Sequence, residues 1–321
     1  MKRFFLGLSA LGIATATTAC SDDGPESGGT GGQGGDATTS SSASGAGGQD
    51  ATSGAGGSGA GCPSASPPTL ETGVDTCVSV GTVTGQVLDQ DGNPPSTKTI
   101  TVCGDACLYG ELASDGTFSM EVNHCYGKSA FYGVPVMIYH GWPEYADVTV
   151  KIVPDGMTDV PVADTGVLTT VATSSMSKYA YSEQVAETFT DGAGFSVDVG
   201  DCELELPAFQ EDVYVGAVAL DDFPLGTPPP ELVGLYFVAP DNSYFTAPAA
   251  VRFPNTTQLA PGTPVELMAL GNMGTTTVIE AGTFDVIGTG RVSDDGMYVE
   301  SLPGMDSGLS TLGWIGYGVV P

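Results

Sequence analysis

The chain has 321 residues, with 8 Lys and Arg against 38 Asp and Glu, and its formal net charge is −30. This charge excludes a nucleic-acid-binding role, because few cations are present to replace the counterions of a phosphate backbone. It also excludes attachment to anionic lipid through a basic patch. The chain contains 47 Gly and 22 Pro, which weaken helix interiors, so the composition favours a disordered linker and turn-rich β-structure over a helical bundle.

Residues 1–19 are typical of an export signal. A short basic start at residues 1–3 is followed by residues 4–19, which carry no charge and end in small side chains. At about 16 residues, this stretch is shorter than the roughly 20 needed to span a bilayer. We therefore predict a signal peptide that sends the rest of the chain out of the cytoplasm.

The signal ends in Thr17-Thr18-Ala19-Cys20, which resembles the lipobox of bacterial lipoproteins, where small residues precede a lipidated Cys. The family usually has Leu at the position that Thr17 occupies here. The resemblance implies that Cys20 becomes the acylated first residue of the mature protein and anchors it in the lipid bilayer. Ser21, where Asp would favour inner-membrane retention, favours the outer membrane. The alternative is a plain signal peptide cleaved near Ala19, with Cys20 an ordinary thiol.

Residues 20–66 are predicted to form a disordered tether rich in Gly, Ser and Ala. From position 21 on, the segment has no Lys or Arg and no Val, Ile, Leu, Met or aromatic residue. It cannot bury enough apolar surface to offset the entropy of ordering. As a flexible coil it would have an end-to-end distance of about 37 Å, and we expect it to hold the folded body off the membrane surface.

The body consists of short β-branched and aromatic runs separated by Gly, Pro, Asp and Asn, a pattern typical of strands and turns. We predict an all-β fold with two β-sandwich domains, at residues 78–155 and 190–321, joined by a connecting segment at 156–189. Residues 67–77 are a lead-in to the first domain. Residues 175–189 fit either an amphipathic helix or an alternating strand, and the sequence leaves that choice open.

Six cysteines follow Cys20, and an even number in an exported chain predicts disulfides. Cys62 and Cys77 are neighbours that precede the first sandwich, so we predict that they pair and clamp the lead-in at the end of the tether. The other four lie in the predicted sandwiches: Cys103, Cys107, Cys125 and Cys202. Their pairing stays open, because one of the first three must either reach the last or remain free.

A zinc site is the alternative for Cys103, Cys107 and Cys125, which together with His124 supply ligand types that zinc prefers. We favour disulfides because thiols oxidise outside the cytoplasm. The three-residue gap between the first two cysteines also differs from the usual two-residue gap of zinc sites.

Oxygen-bearing side chains at Asp89, Asp91 and Asn93 are of the type that calcium binds. However, Gly92 stands fourth, not sixth as in an EF-hand loop, and no late bidentate Glu follows. We therefore predict a bare turn here, and neither a metal nor another cofactor is predicted for the chain.

Residues 78–155 carry a spaced motif made of Gly85, Val87, Asp89, Gly92 and Pro94, with Asp115-Gly116 and Phe118 further on. This order is similar to the G-x-V-x-D-x-x-G-x-P and later D-G-x-F of the carboxypeptidase regulatory-like domain. The resemblance implies a small transthyretin-like β-sandwich that serves as an accessory module on secreted and surface proteins. It implies no catalytic residues.

Residues 190–321 resemble the ZU5-like β-sandwich modules of bacterial surface proteins. The likeness rests on the Phe and Pro residues at 245–254, a Pro-Gly-Thr turn at 261–263 and a Ser-Asp-Asp-Gly turn at 293–296. Some relatives cleave themselves at a His-Phe-Ser step. Both histidines of this chain precede residue 141, so self-cleavage is not expected.

Tyr139, Trp142 and Tyr145 lie in an aromatic loop beside Glu144. Their rings could form a platform that stacks on a sugar or a peptide. The alternative, which we favour, is a connection whose aromatic side chains cover one end of the sandwich.

The sequence has no zinc-metalloprotease motif, nucleophile elbow or phosphate-binding loop. We therefore predict a non-catalytic lipoprotein of the bacterial cell envelope, at the outer membrane, that binds a protein, peptidoglycan or glycan or has a structural role. The alternative is a secreted hydrolase of unrecognised family acting on a polymer. A deep cleft that holds two carboxylates about 5–9 Å apart would favour the hydrolase.

Overall fold

The part of the chain that the computed structural model describes starts at residue 78. It comprises residues 78–104, 106–126, 133–153, 157, 159–201, 203–207, 210–272, 279–302 and 308–320, with 78 and 123–126 through their backbone alone. The predicted signal peptide, tether and lead-in, with Cys20, Cys62 and Cys77, lie outside these residues, as does Cys202. The described part is all-β, as predicted, and its only helices are short 3-10 turns at Thr173–Ser175 and Leu220–Asp222.

The N-terminal part contains seven strands: β1 (Val78–Asp89), β2 (Thr99–Cys103), β3 (Cys107–Glu111), β4 (Thr117–Tyr126), β5 (Val136–His140), β6 (Val148–Lys151) and β7 (Asp159–Thr170). They form one sheet in the order β4-β1-β7 and another in the order β3-β2-β5-β6. Alternating apolar side chains of both sheets, such as Val83 and Val87 from β1 and Ile100 and Val102 from β2, are fully buried and pack into one core.

The C-terminal part contains twelve strands: β8 (Ser177–Ala180), β9 (Glu187–Thr190), β10 (Ser196–Val199), β11 (Leu204–Glu205), β12 (Asp212–Val218), β13 (Leu232–Ala239), β14 (Tyr244–Phe245), β15 (Ala250–Pro254), β16 (Pro264–Leu270), β17 (Phe284–Val292), β18 (Tyr298–Ser301) and β19 (Gly313–Val319). Ten of them form one sheet in the order β8-β12-β13-β19-β16-β17-β18-β15-β10-β9, and β11 pairs with β14.

The ten-stranded sheet curls until its two terminal strands meet. The hydroxyl of Tyr179, on β8, donates to the backbone carbonyl of Thr190 on β9 at 2.6 Å and accepts from its N–H at 3.2 Å. The ring of Tyr179 also contacts Phe189, with centroids 5.5 Å apart. A second core of buried aromatic and aliphatic side chains fills the inside of the curl, including Phe195 and Phe253. Curling covers an apolar face that a flat sheet would leave exposed to water.

The predicted connecting segment 156–189 is part of the sheets. It contains β7, which pairs in parallel with β1, and also β8 and most of β9. Residues 175–189, where helix and strand were both open, contain strands. One apolar cluster combines side chains of both parts, among them Tyr139 and Trp314, and all described residues belong to one compact unit. The two parts therefore share a core, unlike two sandwiches separated by a linker.

Candidate functional site

Of the three aromatic residues that could form a ligand platform, Tyr139 does not present its ring at the surface. Tyr139 is fully buried, because β5 is covered on both faces and Tyr139 points into the larger core, and its hydroxyl donates to the carbonyl of Thr97 at 3.2 Å. Burial raises the pKa of Tyr139 far above its usual value. A ring with no exposed surface cannot stack on a ligand, so Tyr139 is a core residue.

Trp142 and Tyr145 are partly buried and hold the loop in place. Nε1 of Trp142 donates to Oε1 of Gln210 at 2.5 Å, and its ring meets Tyr214 edge-on with centroids 5.1 Å apart. Tyr145 forms an isolated β-bridge with Ala172. These contacts correspond to the alternative interpretation, in which the aromatic residues cover the end of the sandwich.

One disulfide lies within the described residues. Cys103 and Cys107 face each other across the β2–β3 hairpin and are bonded, with their Cα atoms 4.1 Å apart. This resolves part of the open pairing and removes both thiols from the alternative zinc site. Cys125 lies on β4, where only its backbone is described.

Carboxylates in the turns hold backbone groups. Oδ1 of Asp89 accepts from the N–H groups of Asp91 (3.0 Å) and Asn93 (2.8 Å), so this side chain holds the turn. Oδ1 of Asp295 accepts from the Ser293 hydroxyl at 2.6 Å, and this bond is the first cause of a lowered Asp295 pKa. In the described part of the chain, no three His, Cys, Asp or Glu side chains group to hold a metal ion.

Asp147 is the centre of a polar cluster where the two parts meet. Its Oδ1 accepts from the backbone N–H groups of Gly141 (2.7 Å) and Trp142 (2.9 Å), which fixes the β5–β6 loop. Its backbone carbonyl accepts from Nε1 of Trp314, on β19, at 2.7 Å. Burial lowers the pKa of His140, and the charge of Asp147 partly opposes that shift.

Asp241 meets Asp147 from the loop after β13. Asp241 is only 8% exposed, and its side chain hydrogen-bonds to that of Asp147. Burial first, and then the charge of Asp147, raises the pKa of Asp241 well above its usual range. Asp241 therefore keeps a proton at pH values where an ordinary carboxyl group is ionised.

An exposed row of charged side chains crosses the outer face of the large sheet. Glu300 on β18 lies opposite Arg252 of β15 on one side and opposite Arg291 of β17 on the other. Nη2 of Arg252 is 3.8 Å from Oε2 of Glu300. The guanidinium of Arg252 also lies over the ring of Tyr298, 5.0 Å from its centroid, which is a cation–π contact.

A groove of about 230 Å³ opens beside this row, and we call it the outer-face groove. It begins where the β15–β18 ladder ends, and there the N–H of Val251 donates to the hydroxyl of Ser301 at 3.2 Å. Its walls combine charged and aliphatic side chains: Asp198, Ala250, Val251, Arg252, Arg291, Glu300, Ser301 and Leu302.

A second depression, of about 490 Å³, adjoins the outer-face groove and shares Asp198 and Ala250 with it. Its charged lining is entirely acidic, with Glu187 and Glu203 beside Asp198, and we call it the acidic depression. Asp198 accepts from the Thr188 hydroxyl at 2.7 Å, and Glu203 accepts from the N–H of Gly200 at 2.8 Å. The two depressions thus adjoin: the outer-face groove contains both arginines together with Asp198 and Glu300, and the charged side chains of the acidic depression are carboxylates alone.

Sequence reasoning missed both the polar cluster and the outer-face groove. The sequence contains three arginines, of which only Arg252 and Arg291 follow the predicted signal peptide. Their rarity in so acidic a chain is a signal, but their proximity comes from strand register. Asp147 and Asp241 carry no local motif at all.

Among the described residues, no helix has the length and apolar character needed to cross a membrane.

Comparison with known proteins identifies no family. No family model matches the chain, and the search of curated proteins gave no match. A solved structure of a DUF3823 family protein from Bacteroides ovatus aligns with 69% of this chain and 95% of its own chain, at 10% identity and a TM-score of 0.18. This likeness is weak and supports no argument about function.

Proposed function

We propose that the protein is a non-catalytic, membrane-anchored lipoprotein of the bacterial cell envelope, at the outer membrane, whose all-β body binds an envelope component. The observation that carries the proposal is the order of segments in the sequence. A charge-free stretch ends at Cys20, a Gly- and Ser-rich tether follows, and then the folded body begins. Acyl chains on Cys20 would insert into the bilayer, and the tether would let the body reach a partner.

The turns support the resemblance to accessory β-sandwich modules. Gly92 and Gly116, from the motif that resembles the carboxypeptidase regulatory-like domain, have φ of +76° and +80°. Gly262 and Gly296, from the ZU5-like turns, have φ of +76° and +72°. Glycine adopts these angles without strain, so these four glycines occupy turns, as the resemblance implies, whereas Gly85 lies within β1.

The polar cluster gives no support to the alternative of a polymer hydrolase. Asp147 and Asp241 hydrogen-bond directly, whereas a glycosidase holds its two carboxylates about 5–9 Å apart with the scissile bond between them. Asp241 is also 8% exposed. The pair is suited to joining two loops, and a binding role remains the better proposal.

The test is the chemical state of the N-terminus in a bacterial host with a lipoprotein pathway. The expected mature protein begins at Cys20 and carries acyl chains, detected by mass spectrometry, and it partitions into the detergent phase. Cys20→Ala should abolish both results. Ser21→Ala, at the next position, is the matched control and should leave acylation intact. An unmodified wild-type N-terminus in a soluble fraction would contradict the proposal.

A further inference from the structure

The polar cluster of Asp147 and Asp241 lies where the N-terminal and C-terminal parts of the body meet. We propose that this cluster is a pH-sensitive latch. While Asp241 carries a proton, the β5–β6 loop and the loop after β13 stay joined, and when the proton is lost, the two carboxylates repel and the join opens locally. The latch is independent of the acylation of Cys20 and of the ligand that the body binds.

The contact between the two aspartates is part of a compact join. Asp147 lies between β5 and β6, and its side chain hydrogen-bonds to that of Asp241, in the loop after β13. Asp241 also stands beside the start of β19, because a Cβ added to Gly313 would lie 3.6 Å from the Cβ of Asp241. The next residue, Trp314, donates its indole N–H to the carbonyl of Asp147 at 2.7 Å. Three loop or strand ends therefore meet at the pair.

The C-terminal side of the join offers no positive charge to the pair. Asn242, a neutral amide, hydrogen-bonds to Asp241, and the amide nitrogen of Asn272 lies on the other side of Gly313, 3.1 Å from the same added Cβ. Among the described residues, no ion pair includes Asp147 or Asp241. A second negative charge at the pair would therefore meet no cation.

The N-terminal side does not supply a cation at neutral pH either. The basic group that faces Asp147 is His140, whose Nε2 lies 2.8 Å from the hydroxyl of Thr101. Burial lowers the pKa of His140, so this imidazole is neutral at neutral pH and above. The other ionisable groups on this side carry no positive charge: Tyr139, Glu144 and Tyr145.

Loss of the proton turns an attractive contact into a repulsive one. Only a protonated carboxyl group can donate a hydrogen bond, so Asp241 donates to Asp147 only before it ionises. Asp241 is 8% exposed, and an ionised carboxylate at such a buried position is costly when no partner neutralises it. Separation of the two loops relieves this cost, because water can then solvate both carboxylates.

Other contacts keep each loop intact when the two loops separate. The carboxylate of Asp147 still accepts from the N–H groups of Gly141 and Trp142 within its own loop. In the loop after β13, the hydroxyl of Ser243 donates to the carbonyl of Pro240 at 2.7 Å. The ladders that join β13 to β12 and β19 do not involve the pair. We therefore expect a local opening in which the sheets stay folded.

Both tryptophans of the chain report on this opening. The backbone N–H of Trp142 donates to the carboxylate of Asp147, and the indole N–H of Trp314 donates to its carbonyl. Trp314 is 2% exposed, so water that enters the join should move its emission to longer wavelengths and make it accessible to acrylamide. The test is tryptophan fluorescence of the mature full-length protein in detergent between pH 4 and pH 8, with far-ultraviolet circular dichroism of the same samples.

For the wild-type protein, we expect a red shift and stronger acrylamide quenching as pH rises, with an unchanged circular dichroism spectrum. Asp241→Asn stays neutral and keeps a hydrogen-bond donor, so it should lose both changes. Asp294→Asn is the matched control, because it removes a carboxyl group from an exposed turn position, and it should behave as wild type. His140→Gln removes the neighbouring imidazole and should also retain the red shift.

Three results would overturn the latch. The first is wild-type fluorescence that does not change with pH, and the second is a red shift that persists in Asp241→Asn or disappears in His140→Gln. The third is a change in circular dichroism over the same pH range as the red shift, because the tryptophans would then report unfolding of the sheets. None of these results bears on acylation of Cys20, which is measured separately.

Discussion

The side chain of Asp241 hydrogen-bonds to that of Asp147, and this contact joins the loop after β13 to the loop between β5 and β6. Asp147 also fixes its own loop through two backbone N–H groups, and its carbonyl receives the indole N–H of Trp314. The contact between the two carboxyl groups is therefore part of the join between the two parts of the molecule.

We predict that Asp241→Asn stabilises the protein at neutral pH. The native state raises the pKa of Asp241, whereas in the unfolded chain the group ionises near about 3.9. Above that pH the unfolded state loses a proton that the native state keeps, so stability falls as pH rises towards the native pKa, by at most about 1.4 kcal/mol per pH unit. Asn stays neutral and can donate a similar hydrogen bond.

The measurement is urea unfolding of both proteins between pH 4 and pH 8. The free energy of unfolding of Asp241→Asn should exceed that of wild type only slightly at pH 4, and the difference should grow as pH rises. Asp294→Asn, at an exposed turn position, is the control and should show no such trend. A variant less stable than wild type at pH 8 would show that burial does not raise the pKa of Asp241.

Tyr179→Phe tests the closure of the ten-stranded sheet. The hydroxyl makes two hydrogen bonds with the backbone of Thr190, and their loss should lower the free energy of unfolding by about 1–2 kcal/mol. Thermal unfolding followed by circular dichroism measures the change. Tyr109→Phe is the control because Tyr109 is 79% exposed, and equal effects of the two substitutions would refute the closure.

Gly282→Ala tests how the β16–β17 loop lies against the N-terminal part. Gly282 has φ of +75°, and an added Cβ would collide with the backbone of Val150 and Lys151. We expect Gly282→Ala to lower the free energy of unfolding by more than about 3 kcal/mol, because it strains the backbone and pushes the loop away from β6.

Gly262→Ala is the matched control for that substitution. Gly262 has φ of +76° but nothing within 4 Å of an added Cβ. Gly262→Ala should therefore lower the free energy of unfolding by about 1 kcal/mol, through backbone strain alone. Chemical denaturation of both variants gives the comparison. If both variants lose the same free energy of unfolding, the loop between β16 and β17 does not pack against β6.

Replacing Cys103 and Cys107 together by Ala should destabilise the protein by about 2 kcal/mol, because the disulfide closes only a short loop. Melting with and without reductant measures this contribution. Sensitivity to reductant that persists in the double variant would come from the other cysteines, including the predicted pair of Cys62 and Cys77. If the wild-type protein has the same melting temperature with and without reductant, the disulfide does not stabilise it.

The turn chemistry was readable from the sequence, and so was the all-β class. Asp89 holds its turn as predicted, because an Asx turn needs only residues that are close in the chain. The pairing of β7 with β1 could not be predicted from the sequence. The two strands lie about 80 residues apart in the chain, and parallel pairing leaves no local turn signal. The sequence left two roles open for Tyr139, because an aromatic residue in a short run can face either side of a strand.

By itself, the sequence determined the charge, the tether-like composition and the alternation of strands and turns, since each depends on residue type and near neighbours. Only the tertiary structure decided that Asp241 meets Asp147, that both late arginines flank Glu300, and that the two predicted sandwiches share a core. These juxtapositions follow from strand register and sheet curvature, which depend on packing between residues far apart in the chain.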